Sequence, residues 1–268
     1  MSIETEISEL DEAQALPGQD FVWLKEPSED SNSPIVIGFP FSGSGAAMFA
    51  SWKALLPENF ALAAVQMPGR ESRLHEPACN DVHRAADGLV DSFTSNAPHR
   101  PLICVGCSNG ALLAYEFALR ITKAGYSIPL LVVAAKPSLT HEIPKLGLDQ
   151  LSDEELLDLV GNTFGALPPE VTENEELRRL MLPTLRADLE MGDNYVYKTK
   201  PPLDSDILAL VGSDDLGVRL QWMEDWRLLG RGFRARTFAG GHFFIRQQTR
   251  AVIDTIVMRY EAAWERTN

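Results

Sequence analysis

The 268-residue chain is poor in cysteine, in basic residues and in long apolar runs, and each shortage excludes a class of protein. Three cysteines, Cys79, Cys104 and Cys107, cannot all pair, so no disulfide framework is expected and a reducing compartment, the cytoplasm, is the simplest home. Lys and Arg number 24 against 38 Asp and Glu, a formal net charge of −14. That balance argues against nucleic acid as a partner, because phosphate binding needs clustered cations, and against a polybasic membrane anchor. No apolar run reaches the roughly 18–20 residues that span a bilayer. The N-terminus is acidic where a signal peptide is basic. Residues 1–33 hold nine acids against Lys25 alone, more than half of the net charge. Residues 1–20 therefore read as a flexible, solvated acidic tail, with a protein contact as the alternative.

What is present is a regular alternation over residues 21–268, read as one domain. Short apolar runs at 35–39, 60–66, 102–105, 130–135, 207–211 and 233–238 predict strands, and 21–24 a short edge strand. Helical spacing falls at 47–55, 81–93, 111–124 and 249–264. Strands alternating with helices define an α/β class with a mostly parallel sheet covered by helices on both faces. Residues 140–200 break the rhythm with an all-helical insertion. Ser152 followed by Glu155 is a capping box, and 173–181 and 184–195 read as two further helices. An insertion there is expected to lie over the active-site end of the sheet as a lid, a purely structural cap being the alternative.

Gly106-Cys107-Ser108-Asn109-Gly110 matches G-x-S-x-G. The pentapeptide alone is weak, but an apolar strand runs into it and an Ala/Leu-rich helix runs out, the setting of a nucleophile elbow in an α/β-hydrolase fold. A serine hydroxyl needs a base to take its proton. Of five histidines, His242, in Gly240-Gly241-His242-Phe243 just past the last predicted strand, sits on the same rim as the elbow. His141 is its one rival; His75, His83 and His99 read as surface residues. The orienting acid is expected after the 207–211 strand, where Asp214 and Asp215 both qualify. Asp215 is preferred for its spacing from the strand-end glycine, and the order Ser108, Asp215, His242 is that of α/β-hydrolases. Two backbone donors are needed for an oxyanion, and the N–H groups of Asn109 and Ser42 are the candidates. Phe41, Cys107 and Phe243 flank these groups as substrate-facing or elbow-adjacent candidates. Cys104 and Cys107 form a C-x-x-C pair read as packing, and no metal is expected.

Beyond these residues the chain resembles the type II thioesterases, the free-standing editing hydrolases of nonribosomal peptide and polyketide assembly lines. The resemblance runs from about Trp23 to the last helix. It is carried by Phe39-Pro40-Phe41-Ser42-Gly43, Val65-Gln66-Met67-Pro68-Gly69-Arg70, the elbow, Leu182-Pro183-Thr184-Leu185-Arg186-Ala187-Asp188, Gly212 to Asp215, and Gly241-His242-Phe243. It implies hydrolysis of acyl groups from the phosphopantetheine arm of an acyl or peptidyl carrier protein, with no cofactor of the enzyme's own. The family's triad falls on Ser108, Asp215 and His242, and its oxyanion donors on Ser42 and Asn109. The family usually has histidine before the nucleophile and methionine after it, where this chain has Cys107 and Asn109. The stretch Ala134-Ala135-Lys136-Pro137-Ser138 also lacks the Ser-Gly-Arg run expected there.

These departures leave two other readings open. One is an acyltransferase or cyclase in which an amine or alcohol resolves the same acyl-serine. The other is a degenerate hydrolase that only binds carrier proteins. Arg70 and Arg73 are candidates for a basic docking patch, Arg70 equally for a loop anchor. A monomer is the default expectation.

Overall fold

The computed structural model describes residues 20–28, 30, 32–165, 171 and 173–266; the acidic tail lies outside them except for Asp20. Seven strands form one sheet: β1 (Phe21–Lys25), β2 (Ile35–Phe39), β3 (Ala61–Val65), β4 (Leu102–Cys107), β5 (Leu130–Ala134), β6 (Leu203–Gly212) and β7 (Gly230–Phe238). Their order is β1-β3-β2-β4-β5-β6-β7. Every pairing is parallel except the antiparallel edge strand β1 on β3. Strands β2 to β5 are buried along their whole length, as their unbroken apolar sequences require.

The period of two sends alternate side chains to two separate layers. Ile35, Ile37 and Phe39 join the core beneath α1 (Val82–Asn96) and α2 (Asn109–Ile121). Val36, Ile103 and Val105 join the opposite core beneath the long C-terminal helix Thr249–Trp264. The same rule places Cys104 in the first layer and Cys107 in the second. They stand on opposite faces of β4 and are free, buried thiols that fill space.

Several elements differ from the sequence reading, each for a physical reason. The stretch at 47–55 tightens into a 3₁₀ turn, Ala46–Trp52, whose buried Ala46, Phe49 and Trp52 recur every third residue, the repeat of that helix. Strand β4 continues through Gly106 and Cys107 because both pair with β5, opposite Val133 and Ala134. Strand β6 begins at Leu203, and its buried Asp206 is accepted there because Arg259 and Arg266 pair with it.

The insertion between β5 and β6 contains α3 (Asp153–Phe164), closed by the Ser152/Glu155 capping box, and α4 (Glu175–Asp193). The two helices expected at 173–181 and 184–195 are therefore one, running through Pro183. An internal proline destabilises a helix by about 3 kcal/mol. Tertiary anchors next to it offset this: Leu182, Thr184, Asp188 and Leu189 are buried, and the Thr184 hydroxyl donates to Gly69 O at 2.6 Å. The last helix, Thr249–Trp264, is α5. No described helix is long and apolar enough to cross a membrane.

Candidate active site

Ser108 stands between the end of β4 and the start of α2, at φ 53° and ψ −127°, a left-handed conformation that side chains rarely adopt. Its neighbours explain how the strain is held. A Cβ on Gly106 would meet Ala111 Cα at 2.3 Å, and one on Gly110 would meet the carbonyl oxygens of Phe39 and Pro40 at 2.3 Å. Gly106 lets β4 and α2 press together, Gly110 lets α2 close on the end of β2, and Ser108 N–H donates to Ala134 O at 2.8 Å. The serine is thus lifted to the carboxyl edge of the sheet, beside the switch point where strand order reverses about β2.

From that edge two loops bring in the other polar groups. Asp215, after β6, accepts from the backbone of Gly217 at 2.9 Å and Val218 at 3.1 Å through Oδ1, which frees Oδ2 to meet His242 Nδ1 at 2.9 Å. Asp215 is 9% exposed and His242 3%, whereas Asp214 faces solvent. Fixing Nδ1 leaves Nε2 as the imidazole nitrogen available for another contact. His242 and Ser108 line one cavity of about 270 Å³. Phe164 of α3 packs over the imidazole with ring centroids 4.6 Å apart, and Phe243 meets it edge-on at 5.3 Å. Phe41 packs on Phe243 at 4.9 Å. His141 lines the same cavity but stacks on Trp222, away from Asp215. His83 lies beside Glu116 and His99 on Tyr126, outside the cavity.

The backbone N–H groups of Ser42 and Asn109 have no acceptor among the described residues. Gly43 N–H, one residue on, donates to Asp188 Oδ2 at 2.7 Å, which fixes the loop carrying Ser42. Arg70 clamps the same carboxylate with two bonds, at 2.6 and 2.8 Å, and donates to Ser44 O at 3.0 Å. Gln66 completes the frame, donating to Arg70 O and accepting from Ala46 N–H, both at 2.9 Å. The Val-Gln-Met-Pro-Gly-Arg and Leu-Pro-Thr-Leu-Arg-Ala-Asp segments are thereby two halves of one buried joint. Arg70 is 7% exposed, and Arg73 pairs with Asp20 and Glu76, so neither offers the basic docking patch considered from sequence.

Asn109, the residue after Ser108, is also tied down. Asn109 Nδ2 donates to Ser42 Oγ at 3.1 Å and to Asp188 O at 2.9 Å, while its Oδ1 accepts from Lys136 Nζ at 2.8 Å. A carbonyl can only accept and an ammonium only donate, so the amide orientation is fixed at both ends. Burial pushes the Lys136 ammonium down to about 8, with Asp193 pulling the other way. Burial likewise pushes the Cys107 thiol up to about 12, leaving it inert beside Ser108. Sequence reasoning marked the absence of Ser-Gly-Arg at 134–138 but gave Lys136 no partner; it named Asp188 only as part of a motif, with no role, and it missed Phe164. The unusual Asn109 and Lys136 were both visible; their pairing was not.

The depressed pKa has a consequence for stability. The unfolded chain binds the Lys136 proton up to about 10.5 and the folded chain only to about 8, so stability rises with pH across that window. Lys136→Met is expected to stabilise the fold at pH 7 by about 1 kcal/mol, the lost bond to Asn109 offsetting part of the gain. The gain should shrink between pH 8 and pH 10.5 in denaturant titrations; a destabilised variant at pH 7 contradicts it.

Residues 34–260 match the thioesterase domain family. The chain belongs to it. The solved type II thioesterase BorB, from the borrelidin biosynthetic cluster, is 32% identical to this thioesterase with a TM-score of 0.79, over 90% of this chain and 97% of that one. Gramicidin S biosynthesis protein GrsT of Aneurinibacillus migulanus is 29% identical over 80% of this chain and 84% of its own. The AMB antimetabolite synthetase AmbE of Pseudomonas aeruginosa is 33% identical over 82% of this thioesterase, which spans 10% of AmbE's length. The α/β-hydrolase fold expected from the strand and helix rhythm together with the elbow motif is the fold of these relatives, and the type II thioesterases named from motifs are among them.

Proposed function

We propose that this thioesterase releases acyl groups from the phosphopantetheine arm of an acyl or peptidyl carrier protein by way of an acyl-Ser108 intermediate. The observation that carries the reading is the convergence of the Asp215–His242 pair and Ser108 on one cavity edge, flanked by two backbone donors without acceptors among the described residues. Ser108 Oγ attacks the thioester carbonyl as His242 Nε2 takes its proton. Negative charge grows on the carbonyl oxygen between the N–H groups of Ser42 and Asn109. The carbon–sulfur bond breaks and the pantetheine thiol leaves with the proton from His242. Water then gives its proton to His242, attacks the acyl-serine, and frees the acid as Ser108 recovers its hydrogen. Asp215 holds the Nδ1 proton and stabilises each imidazolium.

Incubating an acyl-loaded carrier protein with the enzyme in ¹⁸O-water is expected to give free acid carrying one heavy oxygen, together with the free carrier thiol. Recovery of an ester or amide without the label would instead show that an alcohol or amine resolves the acyl-enzyme. Failure of a fluorophosphonate to label Ser108 would mark a chain that binds carriers without turning them over.

A further inference from the structure

The cavity beside Ser108 is charged against the rest of the molecule. In a chain of net charge −14 its wall carries the ammonium groups of Lys136 and Lys145 against one carboxylate, Asp193. Asp193 is engaged elsewhere, accepting from Leu146 N–H at 2.6 Å. Lys136 is half-buried and has three donors, of which Asn109 Oδ1 takes one; among the described residues no carboxylate lies within ion-pair distance of it. An ammonium withdrawn from water, with Asp193 acting on it only from beyond ion-pair distance, is an electrostatically under-compensated site, and its lowered pKa is the sign of that. Tyr195 and Tyr197 line the same wall with their rings, the Tyr195 hydroxyl donating to Glu116 at 2.7 Å. The N-terminus of α2, at Asn109, adds a partial positive charge of its own.

We propose that Lys136, held on Asn109 next to the nucleophile, is an anion subsite that selects acyl groups ending in a free carboxylate, the monothioesters of short dicarboxylic acids. The inference rests on the hydrolytic reading of Ser108 above and names its substrate class. At about 270 Å³ the cavity is smaller than the roughly 300–1,000 Å³ pockets that enclose drug-sized ligands, so the chain it takes is short. Because Lys136 bonds the residue adjacent to Ser108, the carboxylate it meets lies only a few bonds from the thioester carbon. A neutral acyl chain leaves the ammonium as it is; a carboxylate supplies the direct ion pair that Asp193 does not make, and charge-assisted bonds are the strong ones.

The test compares succinyl and butyryl thioesters of N-acetylcysteamine, which share a four-carbon acyl chain and differ in the terminal carboxylate. The full-length enzyme is expected to favour succinyl in kcat/KM. Lys136→Met is expected to lower the succinyl-to-butyryl ratio by about 10- to 100-fold, and Lys136→Arg to keep the preference. If the two substrates fall in parallel in Lys136→Met, the lysine only positions Asn109 and the subsite is wrong; a wild-type ratio at or below one is equally fatal. Release of neither acid by wild type strikes the hydrolytic reading, and the subsite is then judged by binding. In calorimetric titrations of the Ser108→Ala protein with N-succinyl cysteamine, an uncleavable amide, adding Lys136→Met should weaken affinity at least about tenfold. Equal affinities overturn the subsite by itself.

Discussion

Ser108→Ala is expected to lower kcat/KM for thioester hydrolysis by about 10⁴-fold or more, with little change in the melting temperature. The hydroxyl makes no hydrogen bond to any described side chain, so its removal deletes the attacking atom and little of the packing. The two free N–H donors and the cavity remain and account for the residual rate. Asp215→Asn is expected to cost about as much, for a different reason. The Oδ1 contacts to Gly217 and Val218 N–H hold one side of the group, so an asparagine that keeps them turns its NH₂ toward His242 Nδ1. The imidazole must then carry its proton on Nε2, the wrong nitrogen for a base toward Ser108. Steady-state kinetics on both variants, with circular dichroism to check the fold, is the measurement; an Asp215→Asn enzyme within tenfold of wild type would remove the aspartate from the mechanism.

Asp188→Ala is expected to be the most destabilising single change at the joint between helical insertion and core, by about 3–5 kcal/mol. It strands the Arg70 guanidinium, which is buried and bonded to both carboxylate oxygens, and it removes the acceptor of Gly43 N–H. At about 2–4 °C per kcal/mol for a chain of this size, the melting temperature should fall by about 10 °C. Activity should fall as well, since Gly43 N–H is what anchors the loop presenting Ser42. Arg70→Ala should resemble it, and the double variant should lose clearly less than the two single losses added, the sign of a shared interaction. Thermal melts of the three proteins decide this: equal and additive losses mean that the pair contributes only its packing.

The elements that sequence located best are those whose code is local. The run at 35–39 is apolar at every position because parallel strands covered on both faces have no polar side. Ser152 and Glu155 announce a helix start because both partners of the capping box lie within one turn. The elbow was legible for the same reason: strand, glycine, serine, glycine and helix are contiguous. Locality also explains the misses. Pro183 reads as a helix end because its ring clashes with the preceding turn, yet α4 runs through it, held by Thr184 on Gly69 and Asp188 on Arg70, partners 115 and 118 residues away in sequence. Between Asp214 and Asp215 the spacing favoured the second without removing the first; the backbone donors of Gly217 and Val218 turn Asp215 inward and leave its neighbour in solvent.

By itself, then, the sequence determined the fold class and the family, and it offered the candidates for the chemically active side chains. Hydrophobic period, glycine pairs and motif spacing are all properties of neighbouring residues. Only the tertiary structure decided which of those side chains meet. It joined Lys136 to Asn109 across 27 residues and Arg70 to Asp188 across 118, and it chose a cavity whose charge opposes that of the chain. The physical reason is that a hydrogen bond or ion pair depends on a separation of about 3 Å in space, and distance along the chain says nothing of that until the sheet has set its strands side by side.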